Sequence, residues 1–379
     1  MNKKPICILQ IGMTRNIGGL ETYLIQQFEH INGNNLKYDF VNITAEYEIV
    51  FSDKIKQKKS NIYNICSRHK NPIKHYYQWI RLLLNRKYDV IVLNSNSLEY
   101  VYPLVIAKIF GINRRIMHSH NTCWERNLGF FRKLLVKFNK LLLNFSATDY
   151  WACSELAGKW MFGNKKFKII HNAIDTNVFK FNEESRNVVR KELGITNEKF
   201  VIGHVGRFSY QKNHDFLIDI FYEVCKISPQ VELLLIGDVV DDRRFLDETK
   251  EKVKKLGLEQ NVKFLGLRKD VPKLMQAMDC FVLPSRFEGL PLVGVEAQSI
   301  GLPCFFADII TKELKITDLA NFISLNSSPK YWAKEIIKCK NIERRDKSKK
   351  IIEAGYDINT EIKKIEKFFT KGDKNEKNI

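Results

Sequence analysis

No two of the eight cysteines form a C-x-x-C pair, and they are scattered over 379 residues. Disulfide frameworks cluster their cysteines in short chains, and zinc sites need close pairs. The pattern points to reduced thiols in the cytoplasm and away from a structural metal. Long apolar runs are missing too. The longest, near Tyr100 to Ile112, is broken by Pro103 and Lys108 and is too short to cross a bilayer. Behind Lys3-Lys4 stands a short strand-like run, Ile6 to Ile11, and no secretory apolar core follows it. There is no internal repeat. A G-x-G-x-x-G fingerprint is absent, which weakens a nicotinamide-cofactor reading.

Acid is scarce in the first half. Met1 to Lys180 holds 27 basic and 12 acidic residues, a net of +15, while the remainder holds 35 and 31, a net of +4. A positive field of this kind favours nucleic acid, anionic lipid or a phosphorylated acceptor. Phe130 to Phe145 reads as an amphipathic helix with four basic residues and no acid. Its apolar side belongs in a core or, on the sharper reading, on an anionic membrane. The basic run Lys54 to Lys59 reads as a solvated loop that adds to the field.

Strand-like and helix-like stretches alternate along the chain, which means parallel sheets with helices on both faces. The strands of the first half read as Pro5 to Ile11, Asp89 to Asn94, Arg115 to Ser119, Thr148 to Ala152 and Lys168 to His171. Ser154 reads as a helix cap. The polar stretch from Asn182 to Lys191 marks a boundary. We expect a first domain over 1–180, a second over 181–355, a crossover helix over 356–370 and a disordered tail over 371–379. In the second domain, strands at Phe200 to Val205, Val231 to Ile236, Val262 to Gly266 and Cys280 to Leu283 recur in the same alternation.

Chemistry belongs at the carboxyl ends of such strands. Gly18-Gly19 lies in a strand-to-helix turn that either brings backbone close to a ligand or is merely tight. His120 follows the strand at Arg115 to Ser119, as a structural or a functional histidine. His118 is read onto the opposite face and is the lesser candidate. Leu283 to Pro303 is the richest stretch. A buried strand is followed by a turn with Gly289 and by a helix opening at Pro291 and closing at Gly301-Leu302-Pro303. The amides of Gly289 and Leu290 then face the loop mouth, where the helix dipole makes an anion site. Glu288 and Glu296 flank it. Arg207 and Lys212 follow one strand and Arg268 another, and all should converge with the two glutamates on one sheet edge. Phosphate in the middle and hydroxyls at both ends describe a sugar nucleotide.

These residues resemble the family 4 glycosyltransferases, retaining enzymes of GT-B architecture. The carriers are Gly18-Gly19-Leu20-Glu21, His118 to Asn121, Ala152-Cys153-Ser154, the loop from Asn172 to Phe179, Gly206-Arg207 with Lys212, and above all Glu288 and Glu296. The tail Asp308 to Leu319 is similar to a subgroup that builds bacterial capsule or exopolysaccharide. The resemblance implies an α/β fold: two Rossmann-like parallel-sheet domains facing a cleft, with a C-terminal helix crossing back to the first. It implies a hexosyltransferase that uses a nucleoside diphosphate sugar, UDP-sugar favoured, as co-substrate, with no cofactor and no metal. Arg207, Lys212, Gly289 and Leu290 would hold the diphosphate, and Glu296 the ribose. Glu288 would contact the donor sugar, and the loop at Arg268 would face the base. His120, Gly18 and Gly19 would serve the sugar and the acceptor. Asp241-Asp242 reads as a solvated loop rather than a metal site. Ala173 and Val239-Val240 depart from the family's glycines and affect loop shape alone. The implied acceptor is an undecaprenyl-linked saccharide at the inner face of the cytoplasmic membrane, reached by a peripheral protein whose basic first half meets anionic lipid. Nucleic acid is not an expected partner. Two rivals remain: a UDP-sugar epimerase of the same architecture, and a non-catalytic binder of anionic lipid or nucleic acid.

Overall fold

The computed structural model describes residues 4–31, 35–122, 129–239 and 242–371. The chain divides into two compact units, one of Met1–Ala173 with Ile358–Ile379 and one of Ile174–Asp357. The breaks lie at 173/174 and 357/358, where the sequence reading put them at 180/181 and 355/356.

The first unit alternates strand and helix throughout: β1 (Ile6–Ile11), α1 (Gly19–Ile31), β2 (Leu36–Asn42), α2 (Ser52–Gln57), β3 (Ile62–Asn64), α3 (Pro72–Asn85), β4 (Val90–Ser95), α4 (Tyr102–Ile109), β5 (Arg114–Ser119), α5 (Phe130–Ser146), β6 (Asp149–Ala152), α6 (Glu155–Phe162) and β7 (Lys168–Ile169). All strand pairings are parallel, in the order β3-β2-β1-β4-β5-β6-β7. The order reverses between β1 and β4, which opens a crevice at their carboxyl ends. Right-handed crossovers put α1 and α2 on one face and α3 to α6 on the other. Local signals set the helix starts. Asn71 caps α3 by accepting from the Lys74 amide at 2.9 Å, with Pro72 behind it. Ser154 caps α6 by accepting from the Ala157 amide at 3.1 Å, as its position predicts.

In the second unit α7 (Glu183–Glu192) precedes β8 (Phe200–Val205), α8 (His214–Ile227), β9 (Val231–Ile236), α9 (Arg244–Lys255), β10 (Val262–Gly266), α10 (Val271–Gln276), β11 (Cys280–Leu283), α11 (Leu292–Ser299), β12 (Cys304–Ala307), β13 (Ala320–Ile323), α12 (Pro329–Ile337) and α13 (Ser348–Glu353). The parallel sheet runs β10-β9-β8-β11-β12-β13, and its reversal lies between β8 and β11. Both faces of the sheet are covered, so β9 reads Val-Glu-Leu-Leu-Leu-Ile and is buried along its length. Its Glu232 is held by Lys199 at 2.7 Å and Lys263 at 3.1 Å. The last helix, α14 (Ile358–Lys371), belongs to the first unit and packs on α1. Its buried Glu361 accepts from the His171 amide at 3.0 Å.

Some readings shift. Pro291 is the cap of α11 rather than its first residue. Only part of the apolar surface of α5 meets the core: Leu143 is buried in it and Val136 and Leu142 pack against it, while Phe130, Phe131, Leu134, Phe138, Leu141 and Phe145 are exposed. Asp241, Val240 and the tail beyond Lys371 lie outside the described residues.

Candidate functional site

The two loops at the reversal of the second sheet are stitched together. The Arg286 amide donates to Gln211 O at 2.8 Å, Asn213 Nδ2 to Pro284 O at 3.0 Å, and Gln211 Nε2 to Phe287 O at 3.0 Å. Asn213 manages the turn into α8 with a left-handed backbone at φ 58. Glu288 is thereby aimed back at β8's loop. Its Oε1 accepts from Lys212 Nζ at 2.7 Å and its Oε2 from Gln211 Nε2 at 3.1 Å. Both side chains of the ion pair are mostly buried. The sequence reading assigned Lys212 to phosphate and Glu288 to sugar separately; the structure makes them one unit, and it adds Gln211. Adjacent β8 and β11 bring the three together, a pairing the strand order shows and the linear chain hides.

Glu296 sits in the fifth position of α11 and is buried. Its carboxylate meets no hydrogen-bond donor among the described residues, and burial pushes its pKa up to about 7. Gly289 and Leu290 are buried on the approach to the helix, and their amides donate to no acceptor among the described residues. With the positive end of α11 behind them, they suit an anion. Arg207 is exposed and has no ion-pair partner among the described residues. Ser285, fully buried, has an Oγ without a partner there as well.

Arg268 stands apart. It follows β10, two strands from β8, and its guanidinium is closed on Asp270 at 2.6 and 2.7 Å. It is not joined to the Lys212–Glu288 pair. A depression of about 710 Å³ borders this loop, lined by Lys180, Asn182, Lys269, Lys273 and Gln276, and it contains none of the expected site residues.

In the first unit the reversal point is built around Asn94. Gly12, at φ 128, lies so close that a Cβ would stand 2.5 Å from Asn94 O. Asn94 Nδ2 donates to Gln10 Oε1 at 2.8 Å and Ile11 O at 2.9 Å, which turns its Oδ1 toward His120 Nε2 at 3.1 Å. His120 Nδ1 faces Asn172 Oδ1 at 3.1 Å as well, so both ring nitrogens meet an amide oxygen and a neutral ring donates to one of the two. Burial lowers the His120 pKa to about 3, so the ring is neutral at physiological pH. His118 is not on the opposite face: its ring centroid is 3.9 Å from that of His120. Residues i and i+2 of a strand share a face, and the sequence reading had reversed this. Gly19 opens α1, and Gly18 leaves room for Glu21, whose Oε1 accepts from Thr14 Oγ1 at 2.7 Å. Gly12, Asn94 and Gln211 are the residues sequence reasoning missed. A glycine directly after a buried strand was the available signal for Gly12.

Comparisons bear on this arrangement. Residues 185–358 match the model of the glycosyl transferases group 1 family. EpsF of Bacillus subtilis (strain 168), assigned as a glycosyltransferase, is 27% identical over 374 residues and covers 96% of each chain. An Escherichia coli UDP-Gal:alpha-D-GlcNAc-diphosphoundecaprenol alpha-1,3-galactosyltransferase is 27% identical over 239 residues, 60% of each chain. HepE of Anabaena, crystallised with UDP and glucose, matches with a TM-score of 0.78 at 22% identity over 96% of this chain and 98% of its own. At that identity the likeness speaks for the fold, which is GT-B. The second unit carries the match to the group 1 glycosyltransferases, and the chain over nearly its whole length is similar to a glycosyltransferase.

Proposed function

We propose that this protein moves a hexose, with retention, from a nucleoside diphosphate sugar to a lipid-linked saccharide in exopolysaccharide or capsule synthesis. Glu296 carries the reading. A buried carboxylate without a donor is costly, and the two hydroxyls of a ribose would satisfy it. Arg207 and the Gly289 and Leu290 amides take the diphosphate, and Lys212 shares its ammonium between Glu288 and phosphate. Glu288 meets the hydroxyls of the donor sugar. The Arg268 loop stands by the base, with the guanidinium steadied by Asp270. His120 with Gly18 and Gly19 serves the sugar and the acceptor.

In this reading the acceptor hydroxyl attacks the anomeric carbon from the face the diphosphate leaves. The bond from that carbon to the phosphate oxygen breaks, and the acceptor's proton passes to that oxygen. Arg207, Lys212 and the α11 dipole take the developing charge, which leaves no step for a metal or cofactor. A polysaccharide role is supported by the likeness to EpsF and to the amylovoran biosynthesis glycosyltransferase AmsD of Erwinia amylovora. A lipid-linked acceptor is supported by the E. coli galactosyltransferase, whose name carries a diphosphoundecaprenol. HepE was solved with UDP, which makes uridine the first base to test. Such an acceptor places the protein at the inner face of the cytoplasmic membrane.

The test is thermal shift against UDP, GDP, ADP, CMP and their sugar conjugates, with Glu296→Ala alongside. One nucleotide should raise the midpoint of the wild type and not of the variant. A shift that survives in Glu296→Ala would sink the ribose assignment. Turnover of the donor sugar without any acceptor would favour the epimerase.

A further inference from the structure

The depression beside the Arg268 loop lies wholly in the second unit and holds about 710 Å³, the size of a small-molecule pocket. Neither Lys212, Glu288 nor Glu296 lines it. Buried polar contacts fix its shape. Gln276, buried on α10, accepts from the Asn182 amide at 3.2 Å and donates to Lys180 O at 3.0 Å, which clamps residues 180–182 onto that helix. Arg186 of α7 donates to Gln276 O at 3.1 Å and to Met278 O at 2.8 Å, so α7 is fastened to the end of α10. The Arg344 guanidinium stands 4.4 Å from the centre of the Phe181 ring and donates to the carbonyls of Met275, Gln276, Met278 and Ile300. The walls are therefore built before any ligand arrives.

Charge around this concavity is one-sided. Lys269 and Lys273, four residues apart where the chain turns into α10, and Lys180 on the clamped segment all line it. All three are exposed, and none forms an ion pair among the described residues. The one carboxylate in the described lining, Asp270, is closed on Arg268. Glu183 and Glu184 of α7 lie outside it. Ammonium groups gathered at a low-dielectric concavity attract an anion, and lysine meets phosphate as a point charge. A bare phosphate would leave most of the volume unfilled. In the lining, the Asn177 side chain, Asn182 Nδ2 and Ser185 Oγ have no hydrogen-bond partner among the described residues, which suits hydroxyl groups. Phe181 and Pro272 offer an apolar wall. We propose that the depression binds a second small phosphorylated ligand, a nucleotide or a sugar phosphate, outside the Lys212–Glu288 site. The lysines take its phosphate, and the amides and the hydroxyl take its sugar. This site goes beyond sugar transfer and needs no part of that reading.

The experiment is lysine acylation of the full chain by acetic anhydride, read residue by residue in a mass spectrometer, with UMP, glucose 1-phosphate, inorganic phosphate or sulfate present. Calorimetric titration with the same compounds gives the affinities. UMP or glucose 1-phosphate should protect Lys180, Lys269 and Lys273 in the wild type and leave the exposed Lys137 unprotected. The stronger of the two names the source, nucleotide or sugar phosphate. Lys180→Ala/Lys269→Ala/Lys273→Ala should weaken that binding by about tenfold. Glu296→Ala should leave the protection unchanged. The lysine variant should keep its circular dichroism and its midpoint without ligand, since all three side chains are exposed. No protection by either organic phosphate overturns the proposal, as does wild-type binding by the lysine variant. Protection lost in Glu296→Ala assigns the effect to the donor site and also overturns it. Equal protection by sulfate and by every phosphate means an adventitious ion only, and overturns it too. A protein that transfers no sugar while the three lysines are protected would sink the transferase reading and leave this site standing.

Discussion

Lys212 Nζ stands 2.7 Å from Glu288 Oε1, with 15% and 8% of the two side chains exposed. Each is the other's condition for being inside. Lys212→Met removes a buried positive partner of Glu288 and should cost about 3 kcal/mol of stability. Glu288→Gln strands the ammonium in the same way. The double variant should regain most of the loss, since a neutral pair needs no compensation, yet it should remain inactive. Urea unfolding of the four proteins measures the coupling. Additive losses in the double variant would show that the pair does not act as a unit.

Glu296 gives a pH dependence of definite sign. Its folded pKa of about 7 lies above the ordinary glutamate value of 4.5. The folded state then holds a proton that the unfolded state has released, so stability falls as pH rises from 4.5 to 7. The full penalty, about 3 kcal/mol from the shift, is present above pH 7. Glu296→Gln should match the wild type near pH 5 and exceed it at pH 8. Ribose hydroxyls donate best to the ionised carboxylate, so wild-type nucleotide affinity should strengthen as pH rises through 7. Chemical unfolding and calorimetric titration at both pH values would show these trends, and a flat profile in both would count against the burial argument.

The fold was legible because each strand is a short apolar run closed by a turn, and the alternation leaves little choice of class. Gly206-Arg207, Lys212 and the Glu288-to-Pro303 stretch were legible because each follows a recognisable strand. What the sequence hid was adjacency. Strand order puts β8 beside β11 and β10 beyond β9, so Lys212 meets Glu288 while Arg268 closes on Asp270. The α5 face stayed open between core and lipid because amphipathicity says which side is apolar, not what covers it. Asn94 gave no signal, since its role comes from Gly12 one strand away.

Five buried histidines should make the protein acid-sensitive, among them His75, whose pKa burial lowers. His120 and His204 are lowered to about 3 by burial, and His118 and His214 well below the usual value for the same reason. The unfolded chain takes protons near pH 6.5 that the folded state refuses. Stability is therefore whole above pH 6.5 and is lost as pH falls toward 3, at about 1.4 kcal/mol per pH unit for each ring. In the second unit this opposes Glu296, and two rings outweigh one carboxyl. His214 stacks on Phe208, and neither of its ring nitrogens has a hydrogen-bond partner among the described residues. His214→Leu should thus flatten the acid limb by one ring's worth in pH-dependent urea unfolding. An unchanged slope would mean that His214 is protonated in the folded state.

Two glycines at the ends of neighbouring strands should behave differently. A Cβ at Gly237 would stand 2.1 Å from Gly206 O with φ at 140, so backbone must move and Gly237→Ala should fold poorly. A Cβ at Gly206 would instead meet Lys212, at 2.9 Å from Cε and 3.0 Å from Cδ. That stem is flexible, so Gly206→Ala should fold, with a midpoint lowered toward that of Lys212→Met because the buried ion pair opens. Its cost should fall on the ammonium, which leaves Glu288 and the phosphate position. Donor affinity should drop on the order of tenfold, about one charge-assisted hydrogen bond. Thermal shift without ligand and titration with the nucleotide separate the two effects. A Gly206→Ala protein that binds donor as the wild type does would show that Lys212 does not hold the phosphate.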